Sequence, residues 1–307
     1  MNDASGIEVR PARRTDAGPL AVFLEGALPS PAAAEGAPAF PESAVSDCVL
    51  AARGDEIIGS CRFMSSPGRC AVVMPPRLPE WDAALAARLL RAAAAQVHAR
   101  DGARLIQVLV EPDGSGPLAD ALRRAGFATL AVLAYLRRAV LPEERHLPLP
   151  AGIAWRHYWR LRRGQFARTI AATYEQSLDC AGLAGLRTVD DAIATHRATG
   201  RFCPRAWSLA VVDGEPAGVV LLNNLQGRGE VAYLGVVPSS RRRGLGEVLV
   251  CRAVRDTAAM NLPQIGLAVD VSNTAAMRLY EKTGFREIRR RTAYFIPAAR
   301  LEELGTL

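Results

Sequence analysis

The sequence is poor in lysine, in aromatic residues and in long apolar runs. Lys282 is the only lysine among 38 basic residues, and Phe, Trp and Tyr make up 6% of the 307 residues. No apolar run approaches the roughly 20 residues that cross a bilayer, so we expect no membrane partner. The first ten residues contain no apolar core, and we therefore expect no signal peptide.

Metal-binding, disulfide and acyl-enzyme patterns are also missing. The four histidines lack the short spacing of a zinc site, so we predict no metal. The six cysteines show no paired spacing, which favours buried thiols in a reducing cytoplasm. No Ser/His/Asp arrangement is legible, and direct attack is favoured over an acyl-enzyme.

The balance of charge is basic, with a formal net charge of +7 that comes almost entirely from arginine. A basic surface suits an anionic partner, either a nucleotide-like cofactor or nucleic acid. No basic stripe is interleaved with aromatic residues, so we predict no nucleic-acid partner. Half of the residues are apolar and 22% are charged, as in a soluble globular protein, and the length suggests two domains.

One stretch, residues 230–250, has the order strand, glycine-bearing loop and helix. Its first part is rich in β-branched and aromatic residues until Pro238, which ends a strand, and a helical spacing begins near Val248. The loop between them contains three arginines and two glycines. The first N–H groups of a helix have no partner within the helix, and glycines let an anion approach them. The stretch therefore predicts a phosphate-binding site.

Two common phosphate motifs do not fit this loop. A P-loop needs a lysine after its last glycine, where Glu247 stands, and a dinucleotide fingerprint needs a third glycine, where Leu249 stands. What remains is Arg-x-x-Gly-x-Gly, followed one helix later by VDVSNTAAMRLYEKTGF at residues 269–285. Together these motifs resemble the two halves of the acyl-CoA site in the GCN5-related N-acetyltransferases, the GNAT family.

This resemblance implies a fold, a co-substrate and a set of site residues. The fold is α/β (α+β), with a mixed twisted sheet flanked by helices, and the co-substrate is acetyl-CoA. The resemblance assigns contacts with acetyl-CoA to the strand, the loop and the second motif. These residues are Leu234, Val236, Val237, Arg241, Arg242, Arg243, Gly244, Leu245, Gly246 and Asn273.

The resemblance also implies chemical roles. Glu230 stands where the family carries a general base, although it also reads as an ordinary strand-end glutamate. Tyr280 stands where the family carries the phenol that protonates the leaving thiolate, although it also reads as a core tyrosine. Asn273 also reads as a helix cap. In the acceptor-covering segment, the substrate-contact candidates are Tyr174, Glu175, Asp179 and Arg187, which could equally cap helices or form surface pairs.

The chain contains an internal repeat. LAARGDEIIG at residues 50–59 matches LAVVDGEPAG at 209–218, and LRRAGF at 122–127 matches YEKTGF at 280–285 at nearly the same offset. The patterns also predict helices over 117–124 and 189–198 and a strand over 105–110. We therefore predict two tandem GNAT domains: a degenerate domain over 1–140, a linker over 141–150 and a catalytic domain over 151–307. The first copy lacks the glycine loop, since the segment Ala83–Ala87 aligns with the loop of the second copy and contains no glycine.

The functional prediction is an acetyl-CoA-dependent N-acetyltransferase whose C-terminal domain moves an acetyl group to a primary amine by direct attack. The acceptor is predicted to be a small-molecule amine or a peptide N-terminus. We further expect a cytoplasmic location and a monomer or homodimer. The alternative is a non-catalytic acyl-CoA-binding or regulatory protein, which would need neither Glu230 nor Tyr280.

Overall fold

The computed structural model describes residues 6–26, 42–111, 116–183 and 185–305, which form twelve strands and eight helices. The chain divides into two compact units. The first unit comprises residues 1–129 and 292–307, and the second comprises residues 130–291. Both combine a mixed sheet with helices, so the predicted α/β (α+β) class is confirmed.

The first unit has the strand order β1-β2-β3-β4-β5, followed by the end of β12. Neighbouring strands are antiparallel except β4 and β5, which are parallel. The strands are β1 (Glu8–Pro11), β2 (Cys48–Arg53), β3 (Glu56–Ser66), β4 (Cys70–Val73), β5 (Leu105–Val110) and β12 (Arg286–Pro297). The helices are α1 (Ala17–Gly26), α2 (Ala83–Asp101), α3 (Pro117–Arg124) and α8 (Ala298–Glu303).

The long helix α2 organises the core of the first unit. Alanine is the best helix former, and the many alanines of α2 let the helix lie close to the sheet. Leu89 and Leu90 are fully buried in one apolar cluster with Phe63, Ile106 and other strand residues. The helix begins at Asp82, whose carboxylate accepts hydrogen bonds from two backbone N–H groups of the first turn.

The second unit has the strand order β6-β11-β10-β9-β8-β7. Strands β7 to β10 form an antiparallel meander, β10 runs parallel to β11, and β11 is antiparallel to β6. The strands are β6 (Ala128–Ala139), β7 (Ala154–His157), β8 (Trp207–Val212), β9 (Glu215–Leu225), β10 (Arg228–Val236) and β11 (Gln264–Asp270). The helices are α4 (Arg163–Tyr174), α5 (Val189–Ala198), α6 (Leu245–Ala259) and α7 (Thr274–Lys282).

Each face of the second sheet carries its own apolar cluster. On one face, α6 buries Leu249 and Val254 against β9, β10 and β11. On the other face, α4 and α5 bury Phe166 and Ile193 against Trp207. The central strands are therefore covered on both sides, which explains why β9 reads as a nearly continuous apolar run.

The compact units do not follow the limits of the sequence repeat. Residues 130–140, which hold most of β6, lie in the second unit, and residues 292–307 lie in the first. The first half of the chain thus contributes most of β6 to the second unit, and the second half contributes the end of β12 to the first unit. A repeat reveals the order of elements but not which strands pair. The division at 1–140, 141–150 and 151–307 stays a prediction about the repeated segments.

Within the described ranges, every helix is too short or too polar to span a bilayer. The same residues contain no cluster of three or more His, Cys, Asp or Glu side chains that could hold a metal ion. The six cysteines are free thiols, of which three are buried and three are half-buried.

Candidate functional site

A cavity of about 540 Å³ opens in the second unit, between β10 and β11. Strands β10 and β11 pair only at Gly229 with Ile265 and at Glu230 with Gly266, although both strands continue further. The gap that opens beyond these pairs is bordered by the start of α6, by α7 and by the segment after α4. A slot between two strand edges can accept an extended ligand through backbone hydrogen bonds.

A β-bulge marks the point where the two strands separate. On β10, Val231 pairs with Leu222 and Tyr233 pairs with Leu221, so Ala232 is an extra residue. A bulge bends its strand and changes the face to which the following side chains point. As a result, Val231 packs with the cluster under α6, whereas Ala232 and Tyr233 pack with the cluster under α4 and α5.

The start of α6 forms one end of the cavity and has the features of an anion site. The helix begins at Gly244, which has a φ of 80° and no side-chain cap, and Gly244, Leu245 and Gly246 all line the cavity. Uncapped N–H groups at the positive end of the helix dipole favour a bound anion. Glu247 also lines this end, and its charge is offset by Lys282 at 2.7 Å.

The three arginines of the loop have different surroundings. The Arg241 guanidinium donates to the backbone oxygens of Val236, Thr173, Glu175 and Gln176 at 2.6–3.2 Å, and it therefore fastens the end of α4 to β10. Arg242 and Arg243 are exposed, and neither guanidinium has a partner among the described residues. These two side chains are the ones available to phosphate groups.

Only some of the residues predicted to contact acetyl-CoA border the cavity. Leu234 and Val236 line the cavity, whereas Val237 and Arg243 are not among its lining residues. The N–H of Val237 donates to Ala217 O at 3.0 Å, so this group is used within the protein. The edge of β10 that faces β11 is therefore the part of the strand that borders the cavity.

Tyr280 lies on α7 and lines the cavity. Its side chain is 7% exposed, its ring packs edge-on against Phe285, and its Oη has no hydrogen-bond partner among the described residues. Burial, and then the charge of Asp179, raise the pKa of the phenol. Tyr280 therefore carries a proton at neutral pH that it could give to a leaving group.

Asn273 is the helix cap that the sequence also suggested. It precedes α7, and its side-chain oxygen accepts a hydrogen bond from the N–H of Ala276 at 3.2 Å. The residue still lines the cavity. Capping uses Oδ1, and the contact with acetyl-CoA stays a prediction for the remaining amide group.

Glu230 lies outside the set of residues that line the cavity. Its carboxylate is 3.3 Å from Arg228 Nε, and it would be 3.2 Å from a Cβ at Gly266. Burial raises its pKa, while the charges of Arg228 and Arg137 lower it. Glu230 is thus at the closed end of the slot, and its role as the base stays a prediction that would need a bridging water.

The four substrate-contact candidates do not all lie at the cavity. Asp179 lines it, and Glu175 is an exposed residue whose carbonyl is held by Arg241. Tyr174 packs edge-on against Tyr233 at 5.5 Å between ring centroids, behind the wall of the cavity. The charge of Arg187 acts on Tyr174, Tyr233 and Asp179, so Arg187 is close to this wall.

The arrangement of Tyr233 with Thr173 and His196 could not be predicted from the sequence. Tyr233 donates to or accepts from Thr173 Oγ1 at 2.7 Å, and its ring stacks on His196 at 5.2 Å. Burial lowers the pKa of His196 to about 3, so this histidine is neutral and serves as an apolar support for Tyr233. The bulge turns Tyr233 to this face, and no local sequence pattern announces a bulge of this type.

The corresponding helix start in the first unit is built differently. In α2, the Asp82 carboxylate occupies the N–H groups of Ala84 and Leu85 at 2.8 and 3.1 Å. A carboxylate at this position repels a second anion and uses the donors that the anion would need. The contrast with the uncapped α6 supports the prediction that only the second copy holds a phosphate.

Comparisons with known proteins match part of the chain to a family. Residues 171–285 match the model of the "Acetyltransferase (GNAT) family". This segment, a little more than a third of the chain, contains the slot, the loop and Tyr280. This segment is a GNAT domain. No curated protein matches the sequence.

Solved structures support the same fold. A GCN5-related N-acetyltransferase from Sphaerobacter thermophilus is 17% identical, with 95% of each chain covered and a TM-score of 0.59. A tandem GNAT protein from the clavulanic acid biosynthesis pathway is 15% identical, with 95% of this chain and 98% of that chain covered and a TM-score of 0.53. A glucosamine N-acetyltransferase region of a fungal β-N-acetylglucosaminidase is 11% identical, with 94% and 38% covered and a TM-score of 0.58.

Proposed function

We propose that the protein is an acetyl-CoA-dependent N-acetyltransferase that acetylates a primary amine in its second unit. One observation carries the proposal. A single cavity contains the uncapped start of α6, the open edge of β10 and the unpartnered phenol of Tyr280. The first two features suit the phosphates and the extended arm of an acyl-CoA, and the third suits the leaving sulfur.

The fit of acetyl-CoA is supported by charge and space. Arg242, Arg243 and the first N–H groups of α6 would hold the phosphates, and Leu234 and Val236 would contact the extended arm. When bound, acetyl-CoA supplies the acetyl group as a reactive thioester. Tyr280 would give its proton to the sulfur as the carbon–sulfur bond breaks. No metal is required by this chemistry.

The acceptor is proposed to be a small-molecule amine or a peptide N-terminus that reaches the wall formed by Thr173, Tyr233 and Asp179. Glu230 stays the predicted base on the strength of the family resemblance. The predictions of a cytoplasmic location and of a monomer or homodimer also stay predictions. The rival function is an acyl-CoA-binding or regulatory protein without turnover.

A thiol-release assay separates the two functions. The protein is incubated with acetyl-CoA and a panel of small amines and short peptides, and free coenzyme A and acetylated product are both measured. Amine-dependent release with a matching acetylated product supports the enzyme. Tight binding of acetyl-CoA without release for any amine, including peptides, would support the regulatory protein instead.

A further inference from the structure

A transfer to an amine needs a proton acceptor inside the cavity, because an ammonium group is not a nucleophile. Of the described residues that line the cavity, two carry a carboxylate, Asp179 and Glu247. Glu247 lies at the phosphate end and is paired with Lys282 at 2.7 Å. The remaining carboxylate, Asp179, has no ion pair within the described chain and lies on the acceptor side.

The segment after α4 holds Asp179 in a defined position. The N–H of Asp270, at the end of β11, donates to Asp179 Oδ1 at 3.1 Å. In return, the N–H of Cys180 donates to Asp270 Oδ2 at 3.3 Å, and Ser177 Oγ accepts from the N–H of Asp179 at 3.1 Å. The first bond holds Oδ1 of Asp179 and the other two hold the backbone around it, while Oδ2 has no partner among the described residues.

The surroundings of Asp179 connect it to the reacting end of the cavity. Its charge adds to the burial that raises the pKa of Tyr280, and it acts in the same sense on Tyr233. The carboxylate is therefore near both walls. Tyr280 gives a second sign of a ligand here, since this tyrosine is only 7% exposed, lines the same cavity and has a hydroxyl without a partner among the described residues.

We propose that Asp179 is the catalytic residue that binds the acceptor as an ammonium ion and takes its proton. This inference rests on the proposed N-acetyltransferase function. It names the acceptor as a cationic amine and distinguishes Asp179 from Glu230, which lies outside the cavity lining and is paired with Arg228.

The protons and bonds of this step balance. The ammonium gives one proton to Asp179, and the free amine forms a bond with the carbonyl carbon of the acetyl group. The carbon–sulfur bond breaks, and the sulfur keeps its electron pair and receives the proton of Tyr280. The nitrogen loses its second proton to Tyr280, and Asp179 releases the first to solvent. Each turnover therefore produces one amide, one thiol and one proton.

The charges that face Asp179 predict the direction of the pH dependence. Asp179 is an exposed residue, so solvent screens the charges around it. Partial desolvation and the carboxylate of Asp270 raise its pKa, whereas the N–H of Asp270 and the charge of Arg187 lower it, and the net direction is upward. Tyr174, Cys180, Tyr233 and Tyr280 are other titratable groups around it, and burial raises the pKa of each of them. The rate should therefore fall on acidification, as the carboxylate of Asp179 takes up a proton.

The test compares three conservative variants of the full chain with an amine that the wild-type protein acetylates. Asp179→Asn keeps the acceptor of the Asp270 hydrogen bond but cannot take a proton. Glu230→Gln makes the same change at the rival position. Asp190→Asn is the matched control, because Asp190 is an exposed residue paired with Arg163. For each variant, kcat, KM for the amine, the pH–rate profile and the acetyl-CoA dissociation constant are measured.

We expect Asp179→Asn to lower kcat about 100-fold or more, the usual scale for acid–base catalysis. It should raise KM for the amine, remove the acidic limb of the profile and leave the acetyl-CoA dissociation constant within about twofold. Asp179→Glu should restore part of the rate and the acidic limb. Asp190→Asn should behave as the wild type.

Two outcomes would overturn the inference. One is full kcat with an unchanged acidic limb in Asp179→Asn, and the other is loss of the limb in Glu230→Gln alone. Either result would leave the N-acetyltransferase function intact, because the wild-type protein would still release coenzyme A. Failure of the proposed function is a different result, in which the wild-type protein acetylates no amine although acetyl-CoA binds.

Discussion

Replacing Gly244 tests the phosphate site most selectively. Gly244 begins α6 with a φ of 80°, and a Cβ at this position meets no atom within 4 Å. A valine would therefore not clash with the protein itself. It would be forced into the left-handed region, which costs a residue with a side chain about 1–2 kcal/mol.

The affinity loss follows from how the chain relieves this strain. To leave the left-handed region, the peptide groups at the start of α6 must rotate, and the N–H groups then no longer point together at an anion. The loss of one hydrogen bond to a charged group is worth about 1.5–3 kcal/mol. Gly244→Val should therefore weaken acetyl-CoA binding tenfold or more, since tenfold corresponds to about 1.4 kcal/mol.

Gly214 provides the matched control for strain alone. It has a φ of 84°, no atom within 4 Å of an added Cβ, and a position in the turn between β8 and β9. Gly214→Val should lower the melting temperature by a similar amount to Gly244→Val but leave the acetyl-CoA dissociation constant unchanged. Both quantities are measured by calorimetry. Equal affinities in the two variants would refute the argument that the start of α6 holds the phosphates.

Three further predictions concern other parts of the second unit. Gly246→Val should also weaken acetyl-CoA binding, because a Cβ there already meets Leu279 Cδ2 at 3.1 Å and the remaining bulk must point towards the cavity; an unchanged dissociation constant would contradict this. Tyr280→Phe should slow kcat and alter the alkaline limb of the pH profile without loss of acetyl-CoA binding, whereas an enzyme with full kcat would show that the hydroxyl is structural. His196 has a folded pKa of about 3 and an ordinary value of 6.5, so it stabilises the fold above pH 6.5 and this stability is lost as pH falls. His196→Phe keeps the stacking on Tyr233, and its melting temperature should fall less on acidification than that of the wild type. Parallel curves of melting temperature against pH would contradict this prediction. Through His196, the free energy of unfolding of the wild type should fall by up to about 1.4 kcal/mol per pH unit.

Local patterns were sufficient to predict several individual elements. The helices over 117–124 and 189–198 and the strand over 105–110 have the observed limits. The predicted order strand, loop and helix in residues 230–250 also corresponds to β10, the loop and α6. These features depend on turn residues, caps and apolar spacing, all of which are visible within a few neighbouring residues.

Features that depend on pairing across the chain were not predictable in the same way. The exchange of β6 and the end of β12 between the units depends on which strand edges meet. The bulge at Ala232, which turns Tyr233 towards Thr173, depends on the register with β9. The contacts of Arg241 were not predictable either, because its four backbone acceptors come from β10 and from the end of α4, which are far apart in sequence.

The site residues illustrate the difference between a motif and its geometry. Tyr280 and Gly244, which belong to the two motifs, both line the cavity. Glu230 was assigned from its position on a strand, but the side chain lies among Arg228, Arg137 and Gly266. Asp179 lies in a segment with no regular pattern, and its place at the cavity depends on the hydrogen bond from the N–H of Asp270 at the end of β11.

The central claim is that one acetyl-CoA binds per chain, at the start of α6. Calorimetric titration of the full chain with acetyl-CoA tests it directly, because the titration counts the sites. The corresponding helix of the first unit, α2, is capped by Asp82 and should bind no second acetyl-CoA. The account predicts a single site per chain that Gly244→Val weakens at least tenfold. Two sites of similar affinity, or one site that Gly244→Val leaves unchanged, would contradict it.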